Sequence, residues 1–134
     1  MNDVLVDTNV LVYAFDQAAK DHVRSLNLLS NPNVNLFCAT KNLSEYFAVC
    51  TKLKFPTANV LSFFSQIEQN TTFLYPSPAS LQQFKFLFSK YLPTGNRVFD
   101  VEIVSVMLAN GIKEIATVNT SDFQAITEIH LFPF

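Results

Sequence analysis

Charge is scarce in this chain of 134 residues: Asp, Glu, Lys and Arg make up 15% of it, against roughly 25% in an average domain. Nine basic residues meet eleven acidic ones, a net charge of −2. The basic excess that often marks a nucleic-acid binder is therefore missing, although a bound metal can neutralise phosphate locally. Cysteine is scarce too. Cys38 and Cys50 stand twelve apart with no paired CxxC signature, and read as buried free thiols of a reducing compartment. No apolar run approaches the ~18 residues a membrane-crossing helix needs. The opening MNDVLVDTN lacks the basic region and cleavage site of a signal peptide. The expectation is a cytoplasmic protein with no membrane partner.

Apolar residues, by contrast, make up 49% of the chain, including fourteen phenylalanines. That supplies a sizeable core for one domain spanning 1–134. It also suggests hidden surface beyond the core, such as a dimer or partner interface.

Strand and helix signals alternate along the chain. Residues 3–7 read as a strand ending at Asp7, followed by a short helical stretch. Residues 21–31 carry helical spacing at Val23, Leu26 and Leu28 or Leu29, with Asp21 as N-cap and Pro32 beyond the end. A strand over 34–39 leads into a helix over 40–54 with Leu43, Phe47, Cys50 and Lys54 in one row. Pro56 breaks the chain, and Thr57 is a candidate N-cap for a helix in which Val60, Phe64 and Ile67, or Leu61 and Phe64, face inward. A strand over 71–76 and a helix over 77–92, with Leu81, Phe84, Leu87 or Phe88 and Tyr91 inward, end at the loop PTGN. A helix then begins at Arg97 and closes at Gly111, followed by a strand over 112–119, a turn or short helix, and a last strand over 128–132. The alternation predicts an α/β fold, a three-layer α/β/α sandwich with a mostly parallel central sheet.

In such a sheet, sites form outside the carboxyl ends of the strands, where the N-termini of the following helices also lie. Asp7 ends the first strand, and Asn119 and Asp122 follow the strand near the C-terminus. Glu45 and Asp100 sit early in their helices. Asp100 shares a helical row with Ile103, Val104 and Met107, whereas Glu102 falls on another face and is expected to be solvated. Taken singly, each residue has an ordinary role: Asp7 a turn cap, Glu45 and Asp100 first-turn acids favoured by the helix dipole, Asp122 an N-cap, Asn119 a turn residue. Together they predict carboxylates converging on one sheet edge. Such a cluster repels itself unless protons or cations intervene. Oxygen-only ligands favour Mg²⁺ or Mn²⁺, which can polarise a phosphate and activate water for phosphodiester hydrolysis.

Three blocks in order, VLVDTNVLVYAFD, NLSEYFAV and RVFDVEIVSVMLANGIKEIATVNTSDF, resemble the PIN-domain ribonucleases, and especially the VapC-type toxins of bacterial toxin–antitoxin pairs. The resemblance covers nearly the whole chain. It implies a PIN-like α/β/α fold, Mg²⁺ or Mn²⁺ dependence, cleavage of a single-stranded RNA substrate, a homodimer, and a cognate antitoxin whose tail covers the site. It matches Asp7, Glu45 and Asp100 to the three acids that bind metal in the family. For the fourth position some members carry an aspartate where Asn119 stands and others an asparagine followed by an aspartate matching Asp122; this chain has the second pattern, which leaves Asn119 or Asp122 to complete the site. Thr8 matches a hydroxyl residue beside the first aspartate, and Asn9 is expected to brace the turn.

Among the basic residues, Arg97 is the best candidate for an RNA contact, with Lys41, Lys52 and Lys54 as surface positions near the site in sequence. Tyr13 and Phe15 could stack on bases, but core or dimer packing is their ordinary role. His22 and His130 lie outside every acidic segment. Two rival enzymes fail on sequence. A haloacid-dehalogenase-like phosphatase needs an aspartate where Asn9 stands, and a receiver domain needs paired acids near the first strand and a lysine in the last loop. The remaining alternative is a catalytically inactive PIN-like scaffold that binds RNA or a partner without cutting.

Overall fold

Val4, Leu5 and Val6 have no exposed surface at all, because their strand lies at the centre of a sheet covered on both faces. The computed structural model describes residues 1–134. In chain order the elements are β1 (Asn2–Val6), α1 (Thr8–Phe15), α2 (His22–Leu29), β2 (Val34–Ala39), α3 (Thr40–Lys52), α4 (Thr57–Asn70), β3 (Thr72–Leu74), α5 (Pro78–Tyr91), α6 (Arg97–Ala109), β4 (Glu114–Ala116), a 3₁₀ turn (Thr120–Asp122) and β5 (His130–Leu131). The strands pair in the order β3-β2-β1-β4-β5, and every pairing is parallel. The expected α/β/α architecture is present, with a wholly parallel sheet.

Alternation along the strands divides the core in two. Val4, Val6, Leu36, Cys38 and Ala116 point to one face and pack under α1–α4. Leu5, Ala39, Leu74 and Ile115 point to the other and pack under α5 and α6. The first layer absorbs many of the aromatics. Tyr46 is fully buried, its hydroxyl donates to the Val60 carbonyl at 2.9 Å, and Phe15, Phe47, Phe63 and Phe64 surround its ring.

Several sequence expectations about faces and ends change. On α2, Ser25, Leu28 and Leu29 are buried, while Val23 and Leu26 face solvent. Asp21 occupies the N-cap position without a side-chain cap bond and pairs with Arg24 instead. On α4, Val60, Phe63 and Ile67 are buried, Phe64 is half-buried against Tyr46, Phe47 and Phe73, and Leu61 is exposed. Lys54 lies outside α3, at a φ of 63°. On α5 Leu87 is buried, whereas Leu81 and Phe88 are exposed. The strands over 71–76, 112–119 and 128–132 shrink to two or three residues each, since only those find ladder partners. Gly111 follows α6 at a φ of 73°, where its amide reaches the Leu108 carbonyl and that of Ile112 the Met107 carbonyl, which closes the helix.

The strand order reverses at β1. The chain moves outward to β2 and β3 on one side, then returns through β4 to β5 on the other. A crevice therefore opens beyond the carboxyl ends of β1 and β4, the place where open parallel sheets hold their ligands.

Candidate functional site

That crevice is a cleft of about 580 Å³. Asp7, Thr8 and Asn9 enter it from the β1–α1 junction, Glu45 from α3, Arg97 and Asp100 from α6, and Asn119 and Asp122 from the turn after β4. All eight residues singled out from the sequence line this one space.

Asp7 is the floor. It is 7% exposed and serves as N-cap of α1, accepting the Thr8 amide on Oδ1 at 2.9 Å. Asn42 Nδ2 also reaches Oδ1, at 3.3 Å. Thr117 Oγ1 and Asn9 Nδ2 donate to Oδ2, at 2.8 and 3.1 Å. No cation pairs with it. Burial pushes its pKa up, the hydrogen bonds from Thr117 and Thr8 oppose that, and the Asp122 charge adds to the rise. Asn9 also ties α1 across the switch point: its Nδ2 reaches Thr117 Oγ1 at 3.2 Å and its Oδ1 accepts the Val118 amide at 3.1 Å.

Asp100 stands in the first turn of α6 above buried Ile103, Val104 and Met107. Its pKa is pushed up to about 7, first by burial, then by the charges of Asp122 and Asp7; Arg97 opposes this, and Glu45 adds a little more. One cation, Arg97, offsets only part of that excess. Its Nε lies 3.9 Å from Asp100 Oδ2 and its Nη1 3.4 Å from Asp122 Oδ1, and its side chain is 51% exposed. Glu45 is raised as well, by burial and by Asp7 and Glu102, against the pull of Lys41. Its Oε1 is buried with no hydrogen-bond partner.

The four carboxylates share a cleft, yet no three of them stand as a finished cation cage. An orphaned Glu45 oxygen, an Asp100 that holds its proton near neutrality and an all-oxygen donor set fit a hard divalent cation.

The family model of the PIN domain matches residues 4–129. The chain belongs to the PIN domain family. Solved structures agree with this at the level of the fold. A chain of the VapBC2 complex from Rickettsia felis, solved bound to a DNA fragment from the promoter, has a TM-score of 0.74 and 22% identity, covering 98% of each chain. VapC20 from Mycobacterium tuberculosis, a Sarcin-Ricin loop cleaving toxin, has a TM-score of 0.73 and 12% identity, covering 92% of this PIN domain and 95% of VapC20. VapBC-1 from nontypeable Haemophilus influenzae has a TM-score of 0.70 and 19% identity, covering 97% and 96%. A comparison with curated protein sequences finds no match. No helix of this PIN domain is long and apolar enough to cross a membrane.

Two residues that the sequence reading passed over hold the floor in place. Asn42 is fully buried: its Oδ1 accepts the Ala39 amide at 3.0 Å, and its Nδ2 reaches Asp7 and Thr8. Thr117 is 3% exposed and donates to Asp7. A signal was available in each case, a polar side chain set among buried neighbours. Glu102, expected in solvent, is only part exposed, and its Oε2 is buried without a partner.

Proposed function

We propose that this PIN domain is a metal-dependent endoribonuclease that hydrolyses phosphodiester bonds in single-stranded or loop RNA, as the toxin of a toxin–antitoxin pair. One observation carries the reading. Four acids remote in sequence line a single cleft at the switch point of a PIN-domain sheet, with a negative charge that their neighbours do not neutralise. Asp7, Glu45, Asp100 and Asp122 would hold Mg²⁺ or Mn²⁺. When bound, the metal would polarise a phosphate oxygen and make water a stronger nucleophile at neutral pH. The chain's own residues prepare that chemistry. Asn42, Thr117 and Asn9 orient Asp7. Thr8 and Asn119 line the cleft beside the acids. Arg97, now turned toward Asp100 and Asp122, is free to swing to an RNA phosphate once a cation relieves those acids.

The VapBC structures similar in fold support a cognate antitoxin as partner. VapC20, as a toxin that cleaves the Sarcin-Ricin loop, supports an RNA substrate. Exposed Leu81, Phe86, Phe88 and Leu92 on and just after α5 favour a homodimer. Buried free Cys38 and Cys50 suit a cytoplasmic location.

Purified protein incubated with structured RNA tests the reading. Cutting is expected in Mg²⁺ or Mn²⁺, and is expected to disappear in EDTA and in Asp7→Asn or Asp100→Asn. Cutting that survives EDTA or either substitution rejects the metal mechanism. No cutting of any RNA by any preparation favours the inactive scaffold.

A further inference from the structure

The acidic cleft has a second kind of wall. Lys41, Glu45 and Val49 form one row on α3, four residues apart, and all three line the cleft. Facing them from the first turn of α6 is Phe99, the residue before Asp100. Phe99 is 42% exposed although it stands beside the deeply buried α6 core. The Lys41 ammonium sits 3.8 Å from the centre of its ring.

Two features of this pair need an explanation. An aromatic ring left in water forgoes the burial that the other α6 apolar side chains obtain. The cleft is also lined by four carboxylates and only two cations, Arg97 and Lys41. Arg97 faces Asp100 and Asp122, whereas Lys41 makes no salt bridge. A polyanion entering this space therefore meets one positive group tied into no salt bridge, on a flexible four-carbon stem and parked on an aromatic face.

Resting on the nuclease reading above, we propose that Phe99 is a base-stacking platform and Lys41 its phosphate partner: a nucleobase next to the scissile linkage stacks on the Phe99 ring, and the Lys41 ammonium moves from the ring to the adjoining phosphate. The ring offers a π-face that any base can use, so the pair grips single-stranded nucleic acid without demanding a sequence. A duplex, whose bases are already stacked, cannot use it. The cation–π contact holds Lys41 over the ring, beside the cleft and outside salt-bridge range of the carboxylates, until the phosphate arrives.

The probe is a single-stranded oligoribonucleotide with a central 2-aminopurine, mixed rapidly with the full chain in Mg²⁺ so that binding is read before cleavage. The intact protein quenches the fluorescence as the base stacks. Phe99→Leu is expected to lose the quench and weaken binding about tenfold, with an unchanged melting temperature, and Phe99→Tyr to keep both. Lys41→Gln is expected to keep the quench but flatten the dependence of log Kd on log salt by about one contact's worth. In cleavage assays both losses should fall on KM more than on kcat. Phe99→Leu with undiminished quench and affinity, or Lys41→Gln with an unchanged salt slope, overturns this inference alone. An intact protein that gives no quench with the probe also overturns this inference alone, whereas no cutting of any RNA in either metal overturns the nuclease reading, and this inference with it.

Discussion

Asp100→Asn should make the metal-free protein more stable above neutral pH while removing its response to metal. The substitution keeps the shape of the side chain and deletes one charge from a crowded set. In the folded protein the Asp100 pKa is pushed up from 3.8 to about 7. A rise of that size corresponds to a ceiling of about 4 kcal/mol between the two protonation states. The side chain is 22% exposed in a cleft open to water, and Arg97 lies nearby, so solvent screening reduces the expected gain to about 1–2 kcal/mol. The direction follows from linkage. A carboxyl whose folded pKa lies above its unfolded value binds its proton more tightly when folded. Its contribution is full below about pH 4 and is lost as pH rises through about 7. The metal-free protein should therefore lose stability across that window, and Asp100→Asn should lose less. The slope is reduced and not abolished, because Asp7 and Glu45 are raised as well. Thermal melts between pH 4 and 8 in EDTA read this directly, with a rise in melting temperature of roughly 3–8 °C for the variant at pH 8. Repeated in Mn²⁺, the intact protein should gain about 2.7 kcal/mol at a hundredfold excess over its dissociation constant, and the variant far less. A variant with the same pH slope as the intact protein, or one destabilised equally at pH 5 and pH 8, would refute the electrostatic account of the cleft.

Thr117→Val removes the 2.8 Å donor to buried Asp7; it should cost about 1–2 kcal/mol in urea unfolding and lower RNA cleavage, as the Asp7 carboxylate loses its orientation. Tyr46→Phe strips the hydroxyl from the Val60 carbonyl deep in the α1–α4 layer, so stability should fall by about 1 kcal/mol while cleavage stays unchanged. Gly111→Ala meets no atom within 4 Å but stands at a φ of 73°. It should cost about 1 kcal/mol from backbone strain alone, checked by the denaturation midpoint of a variant with unaltered cleavage.

The alternation of apolar runs with helical spacing determined the class of fold, because a strand buried on both faces and a helix with one apolar stripe leave different periods in the chain. The acids were legible for a related reason. A carboxylate set into an apolar stretch, as Asp7 is between Val6 and Val10, has an ordinary role as a cap when taken alone, but not when three more acids converge on the same sheet edge. Faces and ends were decided by the tertiary structure. Phe63 and Phe64 both pack inward, against rings that α1, α3 and β3 supply, and whether Ile115 belongs to a long or a short strand depends on the partners β1 and β5 provide. The roles of Asn42 and Thr117 lie beyond local pattern altogether. They arise because the switch point brings the start of α3 and the end of β4 against one aspartate, across 35 and 110 residues of chain. Local periodicity records which side of an element is buried. Only the packed sheet determines which distant side chains a buried charge will meet.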